Sequence, residues 1–329
     1  GMSLHRSRLP VLLITLWFAV SQSLFSATAP KPREKPNGAA ERQQLQTQLN
    51  NLGKRLVKKA PRMTANVPPG GQPPASSSTA EAYRALAALQ LKKAEDYLHP
   101  PSPDFSKART SLRHARELMT ARAPESMPSS VKHGKLSELA YFAANDGSPQ
   151  PYFLYLPDSY SPDEPLPLVI FLHGWVPETS RTNPFLVPDF VLDLAEKHNC
   201  ILALAHGRTN TDFQYAGERD VLRVLREVQK FYAVQSNRVY LIGISMGGAG
   251  AWQIGTHYPD LFAGIAPING QADWFSFWHS QYDRPPRGQL PRHIETLIAL
   301  NNPVDLAGNL SNLYSYSQAS KHGFLGTSH

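Results

Sequence analysis

A chain of 329 residues with 41% hydrophobic content has room for one large domain plus a smaller one, and it supports a real core. Its single cysteine, Cys200, excludes an intramolecular disulfide and falls in an apolar run that reads as core packing. The formal charge of +7 is uneven: residues 30–135 carry 19 basic against 8 acidic side chains, whereas residues 136–329 carry 12 against 18. No aromatic-interleaved or zinc-ligand motif accompanies the basic front, so a solvated, surface-adhering arm is expected and no nucleic-acid partner.

At the front, His5, Arg6 and Arg8 precede the apolar run Leu9 to Val20, which Pro10 interrupts; small residues then lead to Ala29. A basic flank, a short apolar middle and a small-residue end predict a secretory signal peptide over 1–29. The run is short for a membrane span, so no stable membrane insertion is expected after cleavage, a retained anchor being the alternative. The mature protein is expected to be secreted or periplasmic. Residues 30–78 form a basic Pro/Gly/Ser-rich linker with one helix, Glu41 to Lys59, where Leu45, Leu49, Leu52 and Leu56 recur at helical spacing. A helical hairpin follows over 79–130. Thr79 opens its first helix, which runs to Leu98, and His99-Pro100-Pro101 breaks it; the second runs from Phe105 to Arg122. No repeat at a solenoid period supports an interaction array, and packing on the next domain is the expected role of the hairpin.

From residue 131 the period changes. Leu139 to Ala143 and Pro151 to Leu156 read as strands around the turn Asn145-Asp146-Gly147. Leu168 to Leu172 is an apolar run suited to a strand buried on both faces. There follow a helix (Val187 to His198), a strand (Ile201 to Ala205), a helix (Glu218 to Tyr232), the strand Arg238 to Ile244, a small-residue helix and the run Phe262 to Ile268. Alternating strands and helices predict a doubly wound, mostly parallel α/β sheet over 131–313. Chemistry in such sheets sits beyond the carboxyl ends of the strands, where His173, His206, Ser245 and Asn269 fall. Glu218 and Asp220 open a helix, favour its dipole and are assigned no chemistry.

Two of these strand ends carry motifs. Gly243-Ile244-Ser245-Met246-Gly247 is G-x-S-x-G between a strand and a helix, the setting in which a serine stands as a nucleophile at the tip of a tight turn. Gly243 and Gly247 lack the Cβ atoms that would collide there, and the helix starting at Met246 aims free N–H groups at the same spot. His173-Gly174-Trp175 lets backbone N–H groups point into the site. With the Met246 amide, the Gly174 or Trp175 amide would form an oxyanion hole, in which each donor lowers an acyl-transfer barrier by ~3–4 kcal/mol.

Leu154-Tyr155-Leu156-Pro157, Pro167 to Gly174, Asp220 to Tyr240, Gly243 to Gly250 and Tyr258 to Ala263 together resemble the secreted α/β-hydrolase serine esterases. Within these, the nearest in kind are the polyhydroxybutyrate depolymerase-like and feruloyl esterase-like proteins, with the prolyl-oligopeptidase-type peptidases more distant. The resemblance runs from about residue 139 to 313 and leaves the N-terminal helices unexplained. It implies an α/β-hydrolase fold that hydrolyses carboxylic esters, small or polymeric, with no cofactor and no metal. It also implies a triad in chain order Ser, Asp, His.

The pattern breaks near Leu313. The resemblance implies an apolar strand there, an Asp after it, and a closing strand followed by the His. Residues 314–329 read instead as an atypical polar, strand-poor tail, which raises the expectation of an open reading frame shortened or frame-shifted near 313. Substitute acids and bases are few. Asp273 follows the strand after the nucleophile helix; His293, His322 and His329 come later in the chain, and His206 lies at an earlier strand end. Each reads more naturally as a surface or packing residue, and Asp305 as a turn residue. Trp274 and Trp278 either line an acyl pocket or pack in the core. The readings to compare are therefore a serine esterase, a serine peptidase of related fold and an inactive hydrolase fragment. Substrate identity and oligomeric state stay open.

Overall fold

The structure, a computed structural model, describes residues 38–58, 78–99, 103–121 and 131–318. The expected signal peptide, His322 and His329 lie outside these residues. Three helices come first: α1 (Gly38–Lys58), α2 (Thr79–Leu98) and α3 (Phe105–Thr120). Their starts have local causes. The Ser78 hydroxyl accepts the Glu81 N–H at α2, and the Asp104 carboxylate accepts the Lys107 N–H at α3, each satisfying a donor that a helix start leaves free. Leu45, Leu49 and Leu52 of α1 meet Leu91, Ala94 and Leu98 of α2 and Ala108, Leu112 and Ala115 of α3 in one buried cluster. The lone helix expected inside the linker thus joins the hairpin in a three-helix layer.

The other face of α2 docks this layer on the sheet. Ala85 and Leu89 pack on Ala140, and Gln90 and Lys93 both bind the Glu138 carboxylate. At its far end the Tyr97 hydroxyl donates to the Thr182 carbonyl (3.2 Å), and Arg181 pairs with Asp96 (3.0 Å). Small residues allow the close approach, and polar groups at the rim fix its register.

Seven strands form one sheet: β1 (Leu136–Phe142), β2 (Pro149–Tyr155), β3 (Leu166–Leu172), β4 (Ile201–Ala205), β5 (Val234–Ile244), β6 (Gly264–Ile268) and β7 (Tyr314–Ser315). Their order is β1-β2-β4-β3-β5-β6-β7, with β1 to β2 and β2 to β4 antiparallel and the remaining pairs parallel. Side-chain alternation assigns the two faces. Leu168, Ile170 and Leu172 of β3 face α5 (Ala216–Phe231) and α6 (Met246–His257); Val169 and Phe171 face α4 (Asp189–Lys197). All seven β3 residues are buried, which is why that strand is apolar throughout rather than alternating.

After β6 the chain forms α7 (Trp274–Tyr282) and α8 (Arg292–Ala299), then a 3-10 segment, Pro303–Asn312. In the tail read as polar and strand-poor, the structure places one short edge strand. Tyr314–Ser315 pairs parallel with β6, and the alignment continues as Tyr316 N–H to Ile265 O (3.0 Å) and Asn269 N–H to Gln318 O (2.7 Å). The reason is physical. An edge strand is held by main-chain hydrogen bonds and needs no apolar side chains, and Tyr314 is 71% exposed.

Candidate active site

β5 ends at Ile244, and α6 begins at Met246, so the whole change of direction falls on Ser245. Its φ of +54° and ψ of −117° lie where L-residues with a side chain are rare. The turn can close this tightly because of its glycines. A Cβ on Gly243 would come within 1.9 Å of the Gly247 carbonyl oxygen, and one on Gly247 within 2.1 Å of the Leu172 carbonyl oxygen. The Ser245 N–H donates to the Ile268 carbonyl (2.8 Å), and its carbonyl accepts the Ala249 N–H (3.0 Å). The backbone is thereby fixed from both sides while the side chain stays exposed. At the helix start the Met246 N–H has no intrahelical acceptor. Gly174 lies against the turn: a Cβ there would be 3.6 Å from the Ser245 Cβ. Ser245, Met246 and Gly174 are thus brought together, and Trp175 follows with its ring 60% exposed.

Beneath this surface, the His173 ring is buried between Phe185 (5.6 Å, stacked) and Phe213 (5.2 Å, edge-on). Its Nδ1 faces the Gly174 carbonyl at 2.8 Å and its Nε2 the His206 carbonyl at 3.1 Å. Burial pushes its pKa down, so the ring is neutral and donates one of these bonds. His173 is a support for the loop.

None of the described acid and base candidates hydrogen-bonds Ser245, and each has other surroundings. His206 is buried, and burial first, then the neighbouring His173, lowers its pKa to about 3. It lines a small cleft with Phe153, Phe171 and Phe185 on the α4 side. Such a ring is packing, not a proton acceptor for a serine. Asp273 caps α7: its carboxylate accepts the Phe275 N–H (3.2 Å), the Ser276 hydroxyl and the Asn302 side-chain N–H (3.0 Å). Asp305 accepts from Asn302 (2.8 Å) and Arg287 (2.8 Å). His293 is an exposed residue of α8. Among the described residues no side chain hydrogen-bonds the Ser245 hydroxyl. Glu218 binds His257 (2.8 Å) and Tyr258 (3.0 Å), and Asp220 binds Arg208 (2.8 Å), so both are spent on structure.

Of the two readings of the tryptophans, the structure favours core packing for Trp274. Trp274 is 2% exposed, with Trp278 half-buried 5.8 Å from it, so the first is core and presents no face to a ligand. Its ring is large enough to be worth burying even though its N–H finds no partner among the described residues. No group of three or more His, Cys, Asp or Glu side chains among the described residues could hold a metal ion, and no described helix is long and apolar enough to cross a membrane.

Sequence reasoning passed over two residues. Asn302, fully buried, joins the start of α7 to the segment 302–305: its Oδ1 accepts the Trp274 N–H (2.8 Å). Asn210 bonds both backbone groups of Val176, next to Trp175. Both are asparagines in polar loops, a pattern with no spacing signal; only the distant residues they reach give them a role.

Strand order, crossover helices and the strained serine turn define an α/β-hydrolase fold. In agreement, a model of the alpha/beta hydrolase family matches residues 169–322. Among solved structures the chain is similar to a thermostable esterase (22% identity, 58% of this chain and 57% of that one, TM-score 0.38) and to a ferulic acid esterase (16%, 54% and 76%, TM-score 0.39). It is also similar to a post-proline cleaving enzyme from Rickettsia typhi (17%, 63% and 36%, TM-score 0.46). The matched region thus spans little more than half of the first of these proteins and about a third of the last.

Proposed function

We propose that this chain is an exported serine hydrolase that cleaves carboxylic esters, feruloyl, acetyl or polyester in type, through an acyl-enzyme on Ser245. The observation that carries the reading is the Ser245 backbone, held at φ +54° with its side chain exposed beside Gly174 and at the start of α6. Strain of this kind persists only where surrounding structure over-determines it, and it concentrates at functional sites. In the reaction, the Ser245 oxygen attacks the ester carbonyl, and the Met246 amide with the Gly174 or Trp175 amide receives the developing oxyanion. The ester C–O bond then breaks and the alcohol leaves carrying the Ser245 proton; water cleaves the acyl–Ser245 bond, releasing the acid and restoring the hydroxyl. Export is supported by the basic, apolar and small-residue succession of residues 1–29.

A serine hydroxyl needs a base to react rapidly. A second reading, a hydrolase fold without turnover, is favoured by the lack of any side chain bonded to the Ser245 hydroxyl among the described residues. Peptide hydrolysis is the alternative chemistry for the same nucleophile. One experiment separates these. Intact-mass labelling with a fluorophosphonate should add one adduct to the wild-type chain and none to Ser245→Ala, and p-nitrophenyl acetate hydrolysis should fall about 10³-fold or more in that variant. A wild-type chain that stays unlabelled under conditions that saturate ordinary serine esterases would establish the second reading. Labelling with cleavage of prolyl peptides but not esters would establish the peptidase.

A further inference from the structure

The segment that carries Asn210 is the most strained stretch among the described residues. Between positions 207 and 215, Arg208 (φ +61°), Thr209 (+69°), Asp212 (+54°), Phe213 (+53°) and Tyr215 (+49°) all take left-handed backbone angles, as does Gly207. For a β-branched residue such as Thr209 this is a true outlier. Several restraints hold the segment. Arg208 is pinned by Asp220 (2.8 Å) and by Asn145 (2.9 Å) and Asp146 of the β1–β2 turn. The Thr211 hydroxyl donates to the Gly207 carbonyl (2.6 Å), and Phe213, with no exposed surface, sits edge-on beneath the His173 ring. The outcome of these restraints is the placement of one amide side chain. Asn210 Oδ1 accepts the Val176 N–H (3.2 Å), and Asn210 Nδ2 donates to the Val176 carbonyl (2.8 Å).

The loop that would supply the second oxyanion donor is thus gripped at both ends. Upstream, His173 is fixed by burial and by its ring contacts with the Gly174 and His206 carbonyls. Downstream, the two peptide planes that meet at Val176 are fixed by Asn210. The Trp175 N–H shares a peptide plane with the Gly174 carbonyl that faces His173, so the torsions left between the two grips are those about Trp175. We propose that Asn210 is a positioning residue: by clamping Val176 it holds the Gly174–Trp175 backbone in the orientation that presents an N–H to the oxyanion formed at Ser245. The inference rests on Ser245 being the nucleophile. It predicts that the strain in 207–215 serves a residue that never touches substrate.

The test uses the full chain with Asn210→Ala and Asn210→Asp. The second keeps an acceptor for the Val176 N–H and replaces the donor to its carbonyl with a carboxylate. Two readouts are taken. Hydrogen exchange of the Val176 amide should accelerate about tenfold or more in Asn210→Ala, with Asn210→Asp closer to wild type. For p-nitrophenyl acetate, kcat should fall about 10–100-fold in Asn210→Ala with KM within twofold, since a displaced donor loses part of the 10²–10³-fold worth of a whole one. Unchanged exchange at Val176, or unchanged kcat in a folded variant whose exchange has risen, would overturn the inference. Failure of the underlying reading looks different: the wild-type chain itself would take no fluorophosphonate adduct. In that case the exchange readout still decides whether Asn210 holds the loop.

Discussion

Two connections leave the carboxyl edge of the sheet side by side, the turn from β5 into α6 and the long segment 269–313 from β6 to β7, and they differ in how far they rely on side chains. The first is fixed by main chain alone: glycines at 243 and 247 let backbone touch backbone, and Ser245 is bonded through its own N–H and C=O. The second is stapled at its centre by the Asn302 side chain beside one main-chain bond, Val304 N–H to the Ala272 carbonyl (3.0 Å), and leaves Leu297 and Leu300 of the α8 region 60% and 63% exposed. A backbone-packed turn has no slack, so each atom added to it must displace a strand. A side-chain-stapled segment can lose its staple and change locally. The turn proposed to carry the nucleophilic oxygen is built the first way.

The sharpest way to break this contrast is Gly247→Ala. The new Cβ would meet the Leu172 and His173 carbonyl oxygens at 2.1 and 2.7 Å, both backbone atoms at the end of β3. Relief requires moving β3 away from α6, so a loss of about 3–5 kcal/mol is expected in denaturant unfolding, with Ser245 labelling abolished in what remains folded. A variant of wild-type stability would mean that the turn is looser than its contacts imply.

Asn302→Ala attacks the other connection. It removes an acceptor for the buried Trp274 N–H and a donor to the half-buried Asp273 and the exposed Asp305; Asn302 itself has no solvent exposure. The Trp274 N–H left unpaired in a buried place costs about 1–3 kcal/mol, while water can reach the two carboxylates, so a loss of about 1–3 kcal/mol is expected, below the glycine variant. The rate of Ser245 labelling should change less than threefold, because the Ser245 turn takes its own bonds from β6 backbone. If labelling collapses together with stability, the two connections are one unit, and the contrast fails.

These two regions also mark what the sequence made legible. The strand–serine–helix turn could be read because its chemistry is local: the glycines that permit it lie within two residues of Ser245. The apolar strands and the parallel order followed from runs such as Leu168 to Leu172, whose seven-residue strand is buried throughout. β7 could not be read, because it is an edge strand held by backbone, and polarity says nothing about main-chain pairing. Asn210 and Asn302 were equally hidden. Their partners lie 34 and 28 residues away, and an asparagine in a loop looks the same whether it clamps a site or faces water.

The smallest expected effect concerns the floor beneath the site, where His173 and His206 are buried neutral. For His206 the folded-state pKa of about 3 lies below the ordinary 6.5, so the unfolded chain binds the proton first as pH falls. Its contribution to stability is therefore complete above pH 6.5 and is lost progressively as pH drops from there toward 3. Between pH 7 and pH 5.5 this one group should remove about 1 kcal/mol, and His173, shifted the same way, adds to the slope. The window is diagnostic. Asp146, which the Arg208 guanidinium holds well below the usual carboxylate range, has a folded pKa lower than its unfolded 3.8 and loses its contribution only under stronger acid. Denaturant unfolding at pH 7 and 5.5, repeated on His206→Gln, checks this directly: the substituted chain should lose about 1 kcal/mol less between the two pH values than the wild type. Equal slopes would mean that His206 is hydrated in solution, and that the packed layer of rings under His173 and its loop is not as dry as its contacts require.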